Sequence, residues 1–230
     1  MSRKGIDPKI VEVLEWTCRF WQDAGIYHVP VAGKRGKQPD EDFRRKSKEL
    51  SDLEAELKDC TRCRLCEGRT NLVFGDGNPA AELVFVGEGP GHDEDMQGKP
   101  FVGQAGRLLT KMIRAIGLDR SQVYICNVVK CRPPNNRTPQ ADEIAACSPF
   151  MFRQLEIINP KVICLLGACA ASTVLRLSKS ISAIRGKTLK WRGINVVPTY
   201  HPAYLLRNPR AKSKAWEDFK LLYSLLKVPN

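Results

Sequence analysis

The chain has 230 residues, with 37 Lys and Arg against 25 Asp and Glu, a formal net charge of +12. Its 43% hydrophobic and 27% charged residues are ordinary globular values, which excludes a disordered, collagen-like or disulfide-stapled miniature chain. No apolar run approaches the roughly 20 residues that cross a bilayer, and MSRKGIDPKIVEVLEW lacks both an uninterrupted apolar core and a small-residue cleavage site, so no signal peptide or membrane is expected and the expected location is cytoplasmic.

In chain order, the first segment reads as a helix. Asp7 can cap it, Pro8 suits its first turn, and Ile10, Val13, Leu14, Thr17 and Trp21 recur at helical spacing before Gly25. Residues 27–40 (YHVPVAGKRGKQPD) read as a linker. Residues 41–59 return to helix, with Phe43, Leu50, Leu53 and Leu57 on one side. From residue 82 short apolar runs alternate with amphipathic stretches. ELVFVG (82–87), QVYICNVV (122–129), KVICLLG (161–167) and INVVPTY (194–200) read as strands. Residues 103–117, the stretch from Thr138-Pro139 to about Ile158, ACAASTVLRL and 211–226 read as helices. Continuous apolar strands separated by helices predict an α/β fold, a three-layer α/β/α stack around a central four-stranded parallel sheet. Right-handed crossovers then bring the loops after the strands to one edge, where ligands of such sheets bind. Those loops are GEGPGHDED, Asn127 with KCRPPNNRTP, GACAAS and HPAYLLRNP. The expected division is a helical N-terminal extension over 1–50 and one domain over 51–230.

The charge is uneven. Residues 1–59 hold 12 basic and 12 acidic side chains, residues 60–230 hold 25 and 13, and residues 177–230 alone hold 11 and 2. A basic surface confined to part of a chain points to a polyanion, most often nucleic acid; a basic protein with no such partner is the other reading.

Nine Cys are many for a cytosolic chain, where disulfides are rare. Cys18, Cys126, Cys164 and Cys169 lie in apolar patterns and read as small buried hydrophobes. Cys60 and Cys63 form a C-x2-C pair, Cys66 extends it, and Cys131 and Cys147 follow at a wide spacing. Structural zinc usually shows two close pairs, whereas an iron–sulfur cluster needs only four thiolates converging in space, and spacing alone leaves both open.

Taken together, C-x2-C-x-L-x3-R-T-N, VFVGEGPGHDED, GKPFVGQAG, CNVVKCRPPNNRTP and HPAYLLRNP resemble a uracil-DNA glycosylase, most closely the family 4 type, over about residues 55–228. The resemblance implies the α/β/α fold of these enzymes, uracil-containing DNA as partner, a monomer, and removal of uracil to leave an abasic site that starts base excision repair. It also implies a [4Fe-4S] cluster on Cys60, Cys63, Cys131 and Cys147, with Cys66 outside it. A related group, covalent uracil-DNA binders with a similar cluster, carries a KRRIH insertion near the KCRPP-like loop. The chain has RPPNNRTP there, without insertion or His. A non-catalytic iron–sulfur or zinc module that binds nucleic acid is the other alternative.

Each step of N-glycosidic cleavage then has a named residue. Asn127 offers the donor and acceptor that the uracil N3–H and O4 edge requires, and the family reads uracil with this Asn; a turn residue is the plain reading. Phe101 suits the stacking surface, or else a core position. His201 can donate to the O2 of departing uracil. The resemblance implies that Glu88 walls off the space beside C5, where the methyl of thymine would clash. Commoner uracil glycosylases carry an Asp and a Tyr in the comparable motif, where Gly89 and Gly91 stand here. Glu88 and Glu94 are therefore expected to order the water and the motif loop, with backbone contacts from Gly87 and Gly89; a solvated loop carboxylate is the alternative for Glu94. Tyr204, Leu205, Leu206 and Arg207 read as an apolar wedge beside a cation, suited to the gap left by an extruded base.

Overall fold

A computed structural model describes residues 41–228. The helix expected over residues 7–25 and the linker at 27–40 lie outside the described residues. The first described helix, α1 (Glu41–Leu57), turns Leu50, Leu53 and Leu57 inward and its charges outward. The boundary expected at residue 50 falls inside this helix.

The sheet contains β1 (Asp76–Gly77), β2 (Leu83–Gly87), β3 (Tyr124–Asn127), β4 (Val162–Leu166), β5 (Leu189–Trp191) and β6 (Ile194–Thr199), in the order β1-β3-β2-β4-β6-β5. The four central strands are parallel, as their apolar runs predict. The expected four-stranded sheet is corrected to six strands, because β1 and β5 add short antiparallel edges. These edges span two and three residues and are only partly buried, so they carry no periodic apolar pattern. The stack of Phe152 on Trp191, with centroids 5.7 Å apart, pins β5 to the helix layer.

Successive strand residues serve opposite layers, as the pleat requires. Val84, Val86, Cys126, Ile163, Leu165 and Val196 face α1, α4 (Ala141–Ile158) and α5 (Ala168–Leu175). Leu83, Phe85, Ile125, Val162, Cys164 and Val197 face α3 (Gln104–Ala115) and α8 (Lys212–Lys227). Two stretches expected as loops contain short helices: α2 (His92–Gln97) lies in GEGPGHDED and α7 (Pro202–Arg207) in HPAYLLRNP. A further short helix, α6 (Ile181–Ile184), precedes β5. Connections leaving β2 run toward β3 on one side and β4 returns on the other, so the C-terminal end of β2 is the switch point where such sheets bind ligands.

Candidate active site

A cleft of about 600 Å³ opens at that edge, within the usual range for ligand pockets. Its walls come from the loops after β2, β3 and β6 and include Glu88, Gly89, Glu94, Phe101, Asn127 and His201. Residues far apart in the chain thus converge on one space.

Asn127 ends β3 and is 1% exposed. Among the described residues, its Oδ1 is the buried side-chain polar atom that lacks a partner. Leaving such an acceptor unpaired costs about 1–3 kcal/mol. Beneath it, buried Lys130 donates from Nζ to the Asn127 carbonyl at 2.9 Å and to Gln154 Oε1 at 2.5 Å, while burial pushes the lysine pKa down. Gln154 in turn donates to Phe74 O and Tyr124 Oη. Gly87 lets Asn127 and Phe101 close over the strand end: a Cβ there would stand 2.4 Å from Asn127 Oδ1 and 2.6 Å from the Phe101 ring.

Phe101 is buried beside the cleft with φ +52°, a left-handed conformation that costs an L-residue about 1–2 kcal/mol. Its ring centroid lies 5.6 Å from that of His201. His201 caps α7, where its Nδ1 accepts the Ala203 N–H at 3.1 Å. Nδ1 therefore carries no proton, and the neutral ring keeps its proton on Nε2. Burial, helped by the nearby Arg207 charge, pushes the His201 pKa down to about 4.

Two carboxylates differ in their surroundings. Glu94 Oε1 accepts the N–H groups of Val102 and Gly103, each at 2.9 Å, and Oε2 accepts that of Gly91 at 3.1 Å. It ties the motif loop to the Phe101 turn. Burial pushes the Glu88 pKa up, partly offset by a hydrogen bond from Thr138. Of the expected wedge, Tyr204 and Leu206 are 39% and 42% exposed, and Tyr204 and Arg207 line the cleft rim. Leu205 is 0% exposed and packs in the core, so it anchors α7 rather than joining the exposed group.

A second cavity is lined by Cys60, Cys63, Cys66, Cys131 and Cys147 together with Leu57, Leu72 and Lys130. Burial pushes the Cys147 thiol up to about 11 and raises Cys63 and Cys131 as well. Three sulfurs accept N–H bonds: Cys131 from Arg69 Nη1 at 3.4 Å, Cys147 from the Lys130 backbone at 3.3 Å, and Cys60 from Arg62 Nη1 at 3.5 Å. Such donors favour a charged sulfur, so these thiols could hold a metal group as thiolates. Among the described residues, no three His, Cys, Asp or Glu side chains converge on one ion position. Cys126, Cys164 and Cys169 are buried as expected, and Cys18 lies outside the described residues.

Arg120, Lys130, Glu143 and Arg69 support these two cavities and escaped the sequence reading. Only Lys130, a charge inside the apolar run NVVKC, left a local trace. The others look like surface residues until the fold gives them partners.

An α/β sheet with a recognition cleft at its switch point defines the class. Comparison with known proteins narrows it: a profile of the uracil DNA glycosylase superfamily matches residues 74–220. A type-4 uracil-DNA glycosylase of Sulfurisphaera tokodaii is 50% identical over 191 residues, covering 78% of this chain and 86% of the relative. One of Thermotoga maritima is 55% identical over 163 residues, covering 70% and 85%. One of Archaeoglobus fulgidus is 46% identical over 184 residues, covering 76% and 92%. The chain belongs to the uracil-DNA glycosylase superfamily and, within it, to the type-4 uracil-DNA glycosylases.

Proposed function

We propose that the chain is a monofunctional glycosylase that takes uracil flipped out of DNA, hydrolyses its N-glycosidic bond and leaves an abasic site, the first step of base excision repair. The observation that carries this reading is the unpartnered Asn127 Oδ1 at the cleft wall. Uracil N3–H would satisfy it while the amide NH2 donates to O4. Cytosine bears no proton on N3 and would leave two acceptors facing each other, an arrangement that rejects far more firmly than a missing contact.

Phe101 stacks on the flipped ring. As the C1′–N1 bond breaks, its electrons pass into uracil and accumulate on O2, where the His201 Nε2–H donates. A preorganised donor of this kind is worth about 2.7–4 kcal/mol, and a neutral imidazole donates without surrendering its proton to the leaving anion. Glu88 walls the space beside C5 against a thymine methyl. With the loop held by Glu94, and backbone contacts from Gly87 and Gly89, it orients the water that adds to C1′; that water releases one proton to solvent, and the uracil anion takes one up from solvent after it departs. Tyr204, Leu206 and Arg207 meet the DNA beside the extruded base, with Leu205 anchoring their helix.

Cys60, Cys63, Cys131 and Cys147 would hold the [4Fe-4S] cluster, with Cys66 as an unbound neighbour. The donor set fits. Four thiolates can surround a cluster at its corners, whereas a single zinc would draw sulfurs to about 2.3 Å from one point. The cluster would supply a structural cross-link between the 60–66 segment and the start of α4, since uracil hydrolysis transfers no electrons. No helix among the described residues is long and apolar enough to cross a membrane.

The test is incubation with uracil-containing DNA followed by alkaline cleavage of abasic sites. Strand breaks at uracil are expected, and Asn127→Ala should cut the rate by about 100-fold or more with the visible absorbance of the cluster unchanged. Intact strands with cluster-replete protein would reject the reading.

A further inference from the structure

The turn that presents Phe101 is held from both sides by groups that do not line up with any base-reading role. Glu94 grips the two N–H groups just after Phe101. On the other side, Arg120 Nη1 donates to the Phe101 carbonyl at 2.9 Å, and Arg120 Nη2 donates to the Pro100 carbonyl. Arg120 stands outside the cleft lining, on the turn that precedes β3. Asp76 of edge strand β1 aims its guanidinium from 3.6 Å. Gly106 completes the seat, because a Cβ there would come within 1.9 Å of the Phe101 carbonyl oxygen.

A bulky aromatic does not rest at φ +52° by preference, and such a conformation persists only where its surroundings over-determine it. Relaxation of φ to the ordinary negative region would rotate the ring relative to Asn127 and His201. The two carbonyls that Arg120 holds flank the bond that would turn.

We propose that Arg120 is a positioning residue for base recognition: by clamping the carbonyls of Pro100 and Phe101 it holds the Phe101 ring in the orientation that stacks on uracil. This rests on the reading of Phe101 as the stacking surface. Arg120 touches neither base nor sugar, so its whole effect passes through Phe101.

A double-mutant cycle tests this, with Arg120→Gln, Phe101→Ala and the pair. Free uracil as product inhibitor and abasic DNA as a second ligand are the probes. Arg120→Gln should raise the uracil inhibition constant about tenfold, the scale of one lost base–aromatic stack, and leave abasic-DNA affinity unchanged. In the Phe101→Ala background the same change should have no further effect on uracil. Arg120→Lys, which keeps the charge but not the fork, should fall in between. A full tenfold effect that persists without the Phe101 ring overturns the proposal. So does a crystal structure of Arg120→Gln in which Phe101 keeps its left-handed φ. If Arg120→Gln is too unstable to purify, Asp76→Asn withdraws the aiming carboxylate and carries the same cycle. Wild-type protein that leaves uracil-DNA intact would instead sink the proposed activity, while the Phe101 conformation in the variant still decides the role of Arg120.

Discussion

His201 enters the cleft as a neutral ring, and two independent features make it so. Its Nδ1 is spent on the α7 cap, and burial with the Arg207 charge holds its pKa near 4. The unfolded chain binds this proton at an ordinary histidine pKa of about 6.5. Between those values the unfolded state carries more protons, so stability from this group is complete above about pH 6.5 and is lost as pH falls toward 4. The lost stability amounts to about 3 kcal/mol. Urea unfolding of wild type and His201→Gln across that range should show a steeper acid loss in the wild type; parallel curves would refute the buried neutral imidazole. The sequence picks out His201 because it follows a strand in an HP motif. Its tautomer is invisible there, since that depends on a backbone N–H two residues ahead.

At the scale of elements, the loop after β3 is fastened to α4 by Glu143. This carboxylate is fully buried and accepts from Arg137 Nη1 at 2.8 Å and Nη2 at 2.6 Å, and from the Gln140 N–H at 2.7 Å. Arg64, from the cysteine segment, approaches at 3.5 Å. These charges hold the Glu143 pKa below the usual carboxylate range. One side chain therefore joins the cleft wall at Arg137, the helix carrying Cys147 and the Cys60–Cys66 segment. Glu143→Ala would strand Arg137 and should lower stability in denaturant unfolding, with a raised KM for uracil-DNA. A neutral effect on both would show that the loop is held by other means. Helix α4 itself is legible from its apolar spacing, but the arginine partners of Glu143 are 6 and 79 residues away. The short strands β1 and β5 are illegible for a related reason: edge pairs this brief exist because a neighbouring strand is already in place.

For the whole molecule, the +12 charge becomes a more discriminating quantity. Within the basic stretch 177–230, Arg185 is committed to buried Asp218, Arg192 to Glu156 and Lys220 to Glu217. Arg207 remains at the cleft rim. Phosphate contact releases counterions, so three neutralised phosphates would weaken DNA binding roughly 40-fold between 50 and 200 mM salt. Arg207→Ala should lower the slope of log affinity against log salt by about one phosphate equivalent, whereas Arg185→Ala should reduce stability without changing that slope. Equal slopes for wild type and Arg207→Ala would remove Arg207 from the DNA grip.

By itself the sequence determined the layered α/β plan, the four central strands and the family, because apolar runs and contiguous motifs are local properties of a chain. It also singled out Asn127, Phe101, Glu88 and His201, which stand at strand ends or in the loops after them. The tertiary structure alone decided the orphaned Asn127 acceptor, the left-handed Phe101, the Arg120 and Glu143 clasps, and the burial of Leu205. Each of these depends on how the folded chain fills the space around a group, or leaves it empty, and that arrangement leaves no mark on the residues beside it in the chain.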